Sequence, residues 1–194
     1  MRSMQLSVLA SIAAVYAIFI YKPSEPQKGV VSLPVIEYQT PKTWKCPSCS
    51  LEEKYVLKQL QEKTKITDRN ALATILGNIK QESNFRSNVC EGGARVPYDR
   101  CYRGGYGIIQ WTSENRYRGL GLFAKKYNCD PSGLYCQTRY MINEPVFQKN
   151  LPRFEGGGQS VSQYMIPSYY WLGWGIKGKR QVYAYQYANK LVFS

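Results

Sequence analysis

Gly77-Asn78-Ile79-Lys80-Gln81-Glu82-Ser83-Asn84-Phe85, followed about twenty residues later by Gly105-Tyr106-Gly107-Ile108-Ile109-Gln110-Trp111, decides how this chain is read. Upstream, Leu72, Ile75, Leu76 and Ile79 fall at i, i+3, i+4 and i+7, one apolar stripe of an α-helix. Thr67 or Asp68 supplies the N-cap. At about 100° per residue, Glu82 lies about 20° from Ile75 and one turn beyond Ile79. Its carboxylate therefore borders the apolar stripe. Partial desolvation there would move a glutamate from about 4.3 toward roughly 6, leaving enough acid near neutrality to protonate a glycosidic oxygen. The plain alternative is a boundary glutamate that ends an ordinary core helix.

The ordered set is more specific than its parts. Gly77-Asn78-Ile79 with Gln81-Glu82-Ser83-Asn84-Phe85, then Gly105 to Thr112, then Arg116, Leu120 and Phe123-Ala124, resembles the phage tail lysozyme family. More distantly, the Glu-Ser and Gly-x-x-Gln pair is similar to goose-type lysozymes and soluble lytic transglycosylases. Gln137-Thr138-Arg139-Tyr140-Met141-Ile142-Asn143-Glu144 resembles the family's Gln-to-Glu helix, and the likeness covers residues 65 to 145 well and 146 to 192 loosely. It implies a mainly α, α+β lysozyme-like domain over residues 51–194, with Glu82 as the catalytic acid and Tyr106 and Gln110 as cleft residues. The implied function is cleavage of the peptidoglycan glycan strand by a muramidase or lytic transglycosylase.

Composition narrows the chemistry. The 194 residues carry a net charge of +13 and no histidine. Without histidine there is no Ser-His or Cys-His nucleophile and no His-Glu-x-x-His zinc site. The expected cofactor set is empty and no metal site is expected, so a carboxylate is the natural proton donor among only 13 acidic side chains. A basic surface suits polyanions such as cell-wall polymers, nucleic acid or anionic headgroups. The basic residues are spread along the chain, and no nucleic-acid motif accompanies them.

Leu6 to Tyr21 is about sixteen uncharged residues, roughly 24 Å as a helix. The apolar run continues past the small-residue site at Val15-Tyr16-Ala17, which favours an uncleaved membrane anchor at residues 1–21 over a removed signal segment. Residues 22–50 hold five of the ten prolines and read as a tether, with Val30 to Ile36 as an apolar exception suited to an edge strand.

Six cysteines fall as three local pairs. Fifteen pairings are possible, and sequential pairing of Cys46-Cys49, Cys90-Cys101 and Cys129-Cys136 closes three short loops. A redox role for Cys46-Pro47-Ser48-Cys49 is disfavoured by its proline-rich setting. Three disulfides imply an oxidising compartment. The expected topology is a single-pass protein whose domain lies on the non-cytosolic side or on a virion membrane, beside other envelope or virion proteins. Disulfides and an anchor argue against a nucleic-acid partner.

The Cys90-Cys101 loop lies between the proposed acid and the glycine turn, where the resemblance implies a small β-region walling the cleft. It holds Glu91 and Asp99, the carboxylates between Glu82 and Gln110. An inverting hydrolase needs a second carboxylate to activate water, and Asp99 is the first candidate, Glu91 the second. A transglycosylase needs none. The glycine turn places Tyr106, Gln110 and Trp111 as candidate glycan contacts. Downstream, Tyr169, Trp171 and Trp174 are candidate sugar-stacking faces, while Val182, Tyr185 and Leu191 suit a packed final helix. The competing function is a non-catalytic envelope or virion module that keeps the scaffold for glycan binding.

Overall fold

The computed structural model describes residues 42–102 and 104–194. The expected anchor, the edge-strand segment Val30 to Ile36 and most of the tether lie outside the described residues. Among the described residues no helix is long and apolar enough to cross a membrane. The order is β1 (Trp44–Lys45), α1 (Leu51–Lys63), α2 (Arg69–Ser83), a 3-10 turn (Tyr98–Arg100), α3 (Glu114–Tyr127), α4 (Leu134–Asn143), α5 (Pro145–Glu155), α6 (Val161–Leu172), α7 (Arg180–Lys190) and β2 (Val192–Phe193).

Helix α2 is the axis. Asp68, of the two candidate caps, accepts from Asn70 N and Ala71 N, satisfying orphan amides of the first turn. Every residue from Ala71 to Ile79 is buried, not only the stripe that the spacing marked. Of the polar members of that run, Thr74 Oγ1 donates to Asn70 O and Asn78 Nδ2 to Thr74 O, while Asn78 Oδ1 is left without a partner. Helices α1, α6 and α7 all pack on α2, with α7 presenting Arg180, Ala184, Tyr187 and Ala188. Val182 and Tyr185, expected in the core, are exposed, because the buried face of α7 runs along positions 180, 184, 187 and 188.

The α2–α7 approach depends on a glycine. A Cβ added at Gly77 would fall 2.4 Å from Ala184 N and 2.7 Å from its Cα, both backbone atoms. Gly77→Ala gains about 1 kcal/mol of helix propensity but forces two backbones apart, a cost of roughly 1–3 kcal/mol or more for overpacking. The expected net result is lower stability, read as a reduced denaturant midpoint at unchanged m-value.

The first described strand meets the last. β1 pairs antiparallel with β2, Trp44 opposite Phe193 and Lys45 opposite Val192, with the two rings 5.0 Å apart. Cys46 and Cys49 are buried. The last residues of the expected tether are therefore packed into the domain, since proline density marks extended chain without telling whether that chain is solvated. Disulfides join Cys46 to Cys49, Cys90 to Cys101 and Cys129 to Cys136. The small β-region consists of two isolated antiparallel bridges, Val89 with Arg95 and Cys90 with Tyr106.

Glu53 ties α1 to α2 and α7. As the N3 residue of a capping box it accepts from Ser50 N at 2.8 Å, and it also takes Lys80 Nζ at 3.1 Å and the Tyr187 hydroxyl. Burial pushes its carboxyl up, but the hydrogen bonds from Tyr187, Ser50 and Lys80 outweigh burial and hold it below the ordinary 4.5. A depressed native pKa stabilises the fold above the unfolded value, and that contribution is lost as pH falls through the native value. The melting temperature advantage of the wild type over Glu53→Gln is thus expected to shrink from about pH 5 downward. A difference independent of pH across that window would refute this role.

Candidate active site

The end of α2 is where the two signature stretches meet. Ser83, buried, donates from Oγ to Ile108 O at 2.8 Å, fastening the residue after Glu82 to the glycine turn. Asn84 and Phe85 both take left-handed backbone, at φ 53° and 61°, a conformation that a bulky non-glycine residue adopts only under constraint. The constraint includes Phe85 packed edge-on to Tyr187 with centroids 6.2 Å apart.

The glycine turn is held from α4. Gln137 Oε1 accepts from Ile108 N at 2.9 Å, while its amide donates to Ser87 O and Pro131 O, each at 2.7 Å. Gly107, at φ 74°, lies so close that a Cβ there would sit 2.4 Å from Gln137 Oε1. Gln110 donates through Nε2 to Val89 O and Gly107 O. Its amide thus braces the turn, at the edge of solvent.

Glu82 sits at the border between core and surface, but its partner is a cation. Arg180 Nη2 approaches Glu82 Oε1 to 2.5 Å, with side chains 7% and 14% exposed respectively. The apolar surroundings expected from the stripe are therefore incomplete: the stripe edge at residue 82 meets the first turn of α7 and not another hydrophobic face. Arg180 Nη1 donates to Ile176 O at 2.8 Å and Lys177 O at 2.9 Å. Its guanidinium lies 4.8 Å from the Trp174 ring centroid. Trp174 in turn contacts Tyr169, centroids 5.4 Å apart. Of the expected aromatic contacts, Tyr169 and Trp174 thus gather near Glu82 on the α6–α7 side, with Tyr169 exposed and Trp174 half-buried.

The other aromatic candidates face inward. Tyr106 is fully buried, donates to Val96 O at 3.1 Å and stands edge-on to Tyr98 and Tyr117. Trp111 and Trp171 are core residues whose Nε1 atoms donate to Glu144 at 3.2 and 3.1 Å. Arg116 reaches the same buried carboxylate with two nitrogens, Nε at 3.0 Å and Nη2 at 2.7 Å. These three rings offer no stacking face to a sugar because their polar edges are used inside the fold. Asp99 is exposed on the 3-10 turn, whereas Glu91 accepts from Gly105 N at 3.1 Å.

Glu82 lines none of four clefts formed by the described residues. One, of about 730 Å³, is lined by Lys80, Asn84, Arg86, Arg95 and Lys190 with Glu52 and Glu53. Lys80 lies about 200° around α2 from Glu82, so the Lys80 side of this cleft faces away from the acid. Among the described residues no group of side chains is arranged to hold a metal ion.

Sequence reasoning missed Arg180 and the Glu144 cluster. Arg180 lies 98 positions from Glu82 and carries no local signal. Glu144 was marked only as the end of a resembling helix, although it gathers four donors from α3, α6 and the glycine turn.

The phage tail lysozyme family model matches residues 52–191 of the chain. No curated protein and no solved structure matches it.

Proposed function

We propose, because the chain belongs to the phage tail lysozyme family, that it cuts the β-1,4-linked glycan of peptidoglycan by general acid catalysis with Glu82 as proton donor. The observation that carries this reading is the position of Glu82. It is a partly buried carboxylate on the last turn of the central helix, one residue before the Ser83 bond to the glycine turn. In the reaction the Glu82 carboxyl gives its proton to the leaving glycosidic oxygen as the bond breaks. The oxocarbenium-like centre is then taken either by water or by the muramyl 6-hydroxyl. Of the two exposed loop carboxylates, Asp99 is the candidate to activate water, since Glu91 accepts from Gly105 N. Trp174, over the Arg180 guanidinium, and Tyr169 beside it are aromatic faces suited to the apolar side of a sugar. The three disulfides agree with a domain that works outside the cytosol.

The Arg180 contact favours a second reading, in which the scaffold binds glycan without cutting it, because Glu82 Oε1 is taken up by the guanidinium instead of facing a substrate. Incubating the full chain with purified sacculi separates the two. Release of muropeptides is expected. A reducing end would identify a hydrolase and an anhydro end, one water lighter, a transglycosylase. Tight binding with no released fragment would establish the binding module.

A further inference from the structure

The connection between α6 and α7, Gly173 to Lys179, lies against the end of α2 as a strap. Three contacts fasten it there. Lys179 N donates to Gln81 Oε1 at 2.9 Å, and Gly178 approaches the Gln81 amide so closely that a Cβ would meet it at 3.0 Å. The third contact is the Arg180–Glu82 pair. Gly173 at φ 69° and Gly178 at φ 58° bracket the strap with backbone that is permissive to rotation. Between them Gly175, Ile176 and Lys177 are exposed. Because Arg180 Nη1 is bonded to Ile176 O and Lys177 O, and Trp174 stacks on the guanidinium, strap and guanidinium form one body.

The guanidinium is also incompletely used. Arg180 is buried, yet its Nε has no hydrogen-bond partner. Nε and Nη2 form the edge of the fork that matches a carboxylate with two parallel bonds. Glu82 occupies only the Nη2 half of that edge, through one oxygen. A buried donor left unpaired is costly, so the edge is built for a more complete partner than the one it holds.

We propose that Arg180 is a positioning residue forming a substrate-released latch. A carboxylate on the lactyl or peptide substituent of the glycan takes the Nε–Nη2 edge, draws Arg180 and the strap off Glu82, and leaves the Glu82 carboxyl free to meet the glycosidic oxygen. The latch rests on the reading of Glu82 as proton donor and adds to it a selection for anionic over neutral β-1,4 glycans. Without a carboxylate to exchange for, the guanidinium stays on Glu82 and the acid remains unusable.

The test uses the full chain with two oligosaccharides of equal length. One alternates N-acetylglucosamine with muramic acid bearing free lactyl carboxylates, and the other is neutral and N-acetylglucosamine only. Two quantities are read: hydrogen exchange at the Lys179 amide and the ratio of cleavage rates. In the wild type, exchange at Lys179 is expected to quicken with the carboxylate oligomer alone, and cleavage is expected to favour it by about tenfold or more. In Arg180→Gln the amide is expected to exchange fast without ligand and the rate ratio to fall toward one. Gln81→Ala, which removes only the strap's amide bond, provides a second variant should Arg180→Gln fail to fold. It is expected to raise cleavage of the neutral oligomer relative to the other. A wild-type Lys179 amide indifferent to the carboxylate oligomer, or a ratio that both variants leave unchanged, overturns the latch. Should nothing be cut while the amide still answers selectively to the carboxylate, the latch holds as a binding device and the assignment of Glu82 as acid fails alone.

Discussion

Replacing Glu144 by alanine is expected to lower the stability of the domain by roughly 3–5 kcal/mol, the range for breaking a buried pair by removing one partner. The carboxylate is almost fully buried and accepts from Arg116 through two nitrogens and from the indoles of Trp111 and Trp171. Its removal leaves a largely buried guanidinium and two buried N–H groups without acceptors, each carrying its own desolvation penalty. Those penalties share one cavity and do not simply add. Against a total of about 5–15 kcal/mol for a typical domain, the loss is a large fraction, equivalent to about 6–20 °C in melting temperature for a chain of this size. Glu144→Gln keeps the volume and one acceptor and is expected to fall between the two. A change below about 1 kcal/mol for Glu144→Ala in denaturant unfolding would mean that the cluster is not the keystone joining α3, α6 and the glycine turn.

The Glu144 cluster also explains why aromatic residues misled the reading of the sequence. Trp111, Trp171 and Trp174 share a residue type and a setting among other aromatics, and nothing local separates a ring that stacks on sugar from one that fills a core. The separation comes from a carboxylate 33 and 27 positions away from the two inner tryptophans. Trp174 escapes it because it lies past the end of α6, beyond Gly173. The same limit hid Arg180: the stripe through Leu72, Ile75, Leu76 and Ile79 located the edge on which Glu82 lies, but not what α7 would bring to it.

What could be read directly was local. The apolar stripe of α2 followed from periodicity, and its start was narrowed to Thr67 or Asp68, of which the structure uses Asp68. The pairing of cysteines followed from short loop closure, and the structure has those same three bonds. The tether boundary was read too far along, because Pro47 sits between two cysteines that are buried against α1. Proline reports backbone freedom and says nothing of burial.

The account stands on one proton carried by Glu82. General acid catalysis by a positioned side chain is worth about 10²–10⁴-fold, and glutamine at this position keeps the shape and a hydrogen bond to Arg180 while removing the exchangeable proton. The strap and the glycine turn are held by neighbouring groups, Gln81 and Ser83, so Glu82→Gln is expected to fold and, with Arg180 held less firmly, to bind glycan no more weakly than the wild type. The decisive measurement counts new glycan ends released from purified sacculi by wild type and Glu82→Gln at equal bound protein. A fall of at least about 100-fold with binding preserved is the expected result, whereas ends released by the variant at the wild-type rate would contradict the assignment outright.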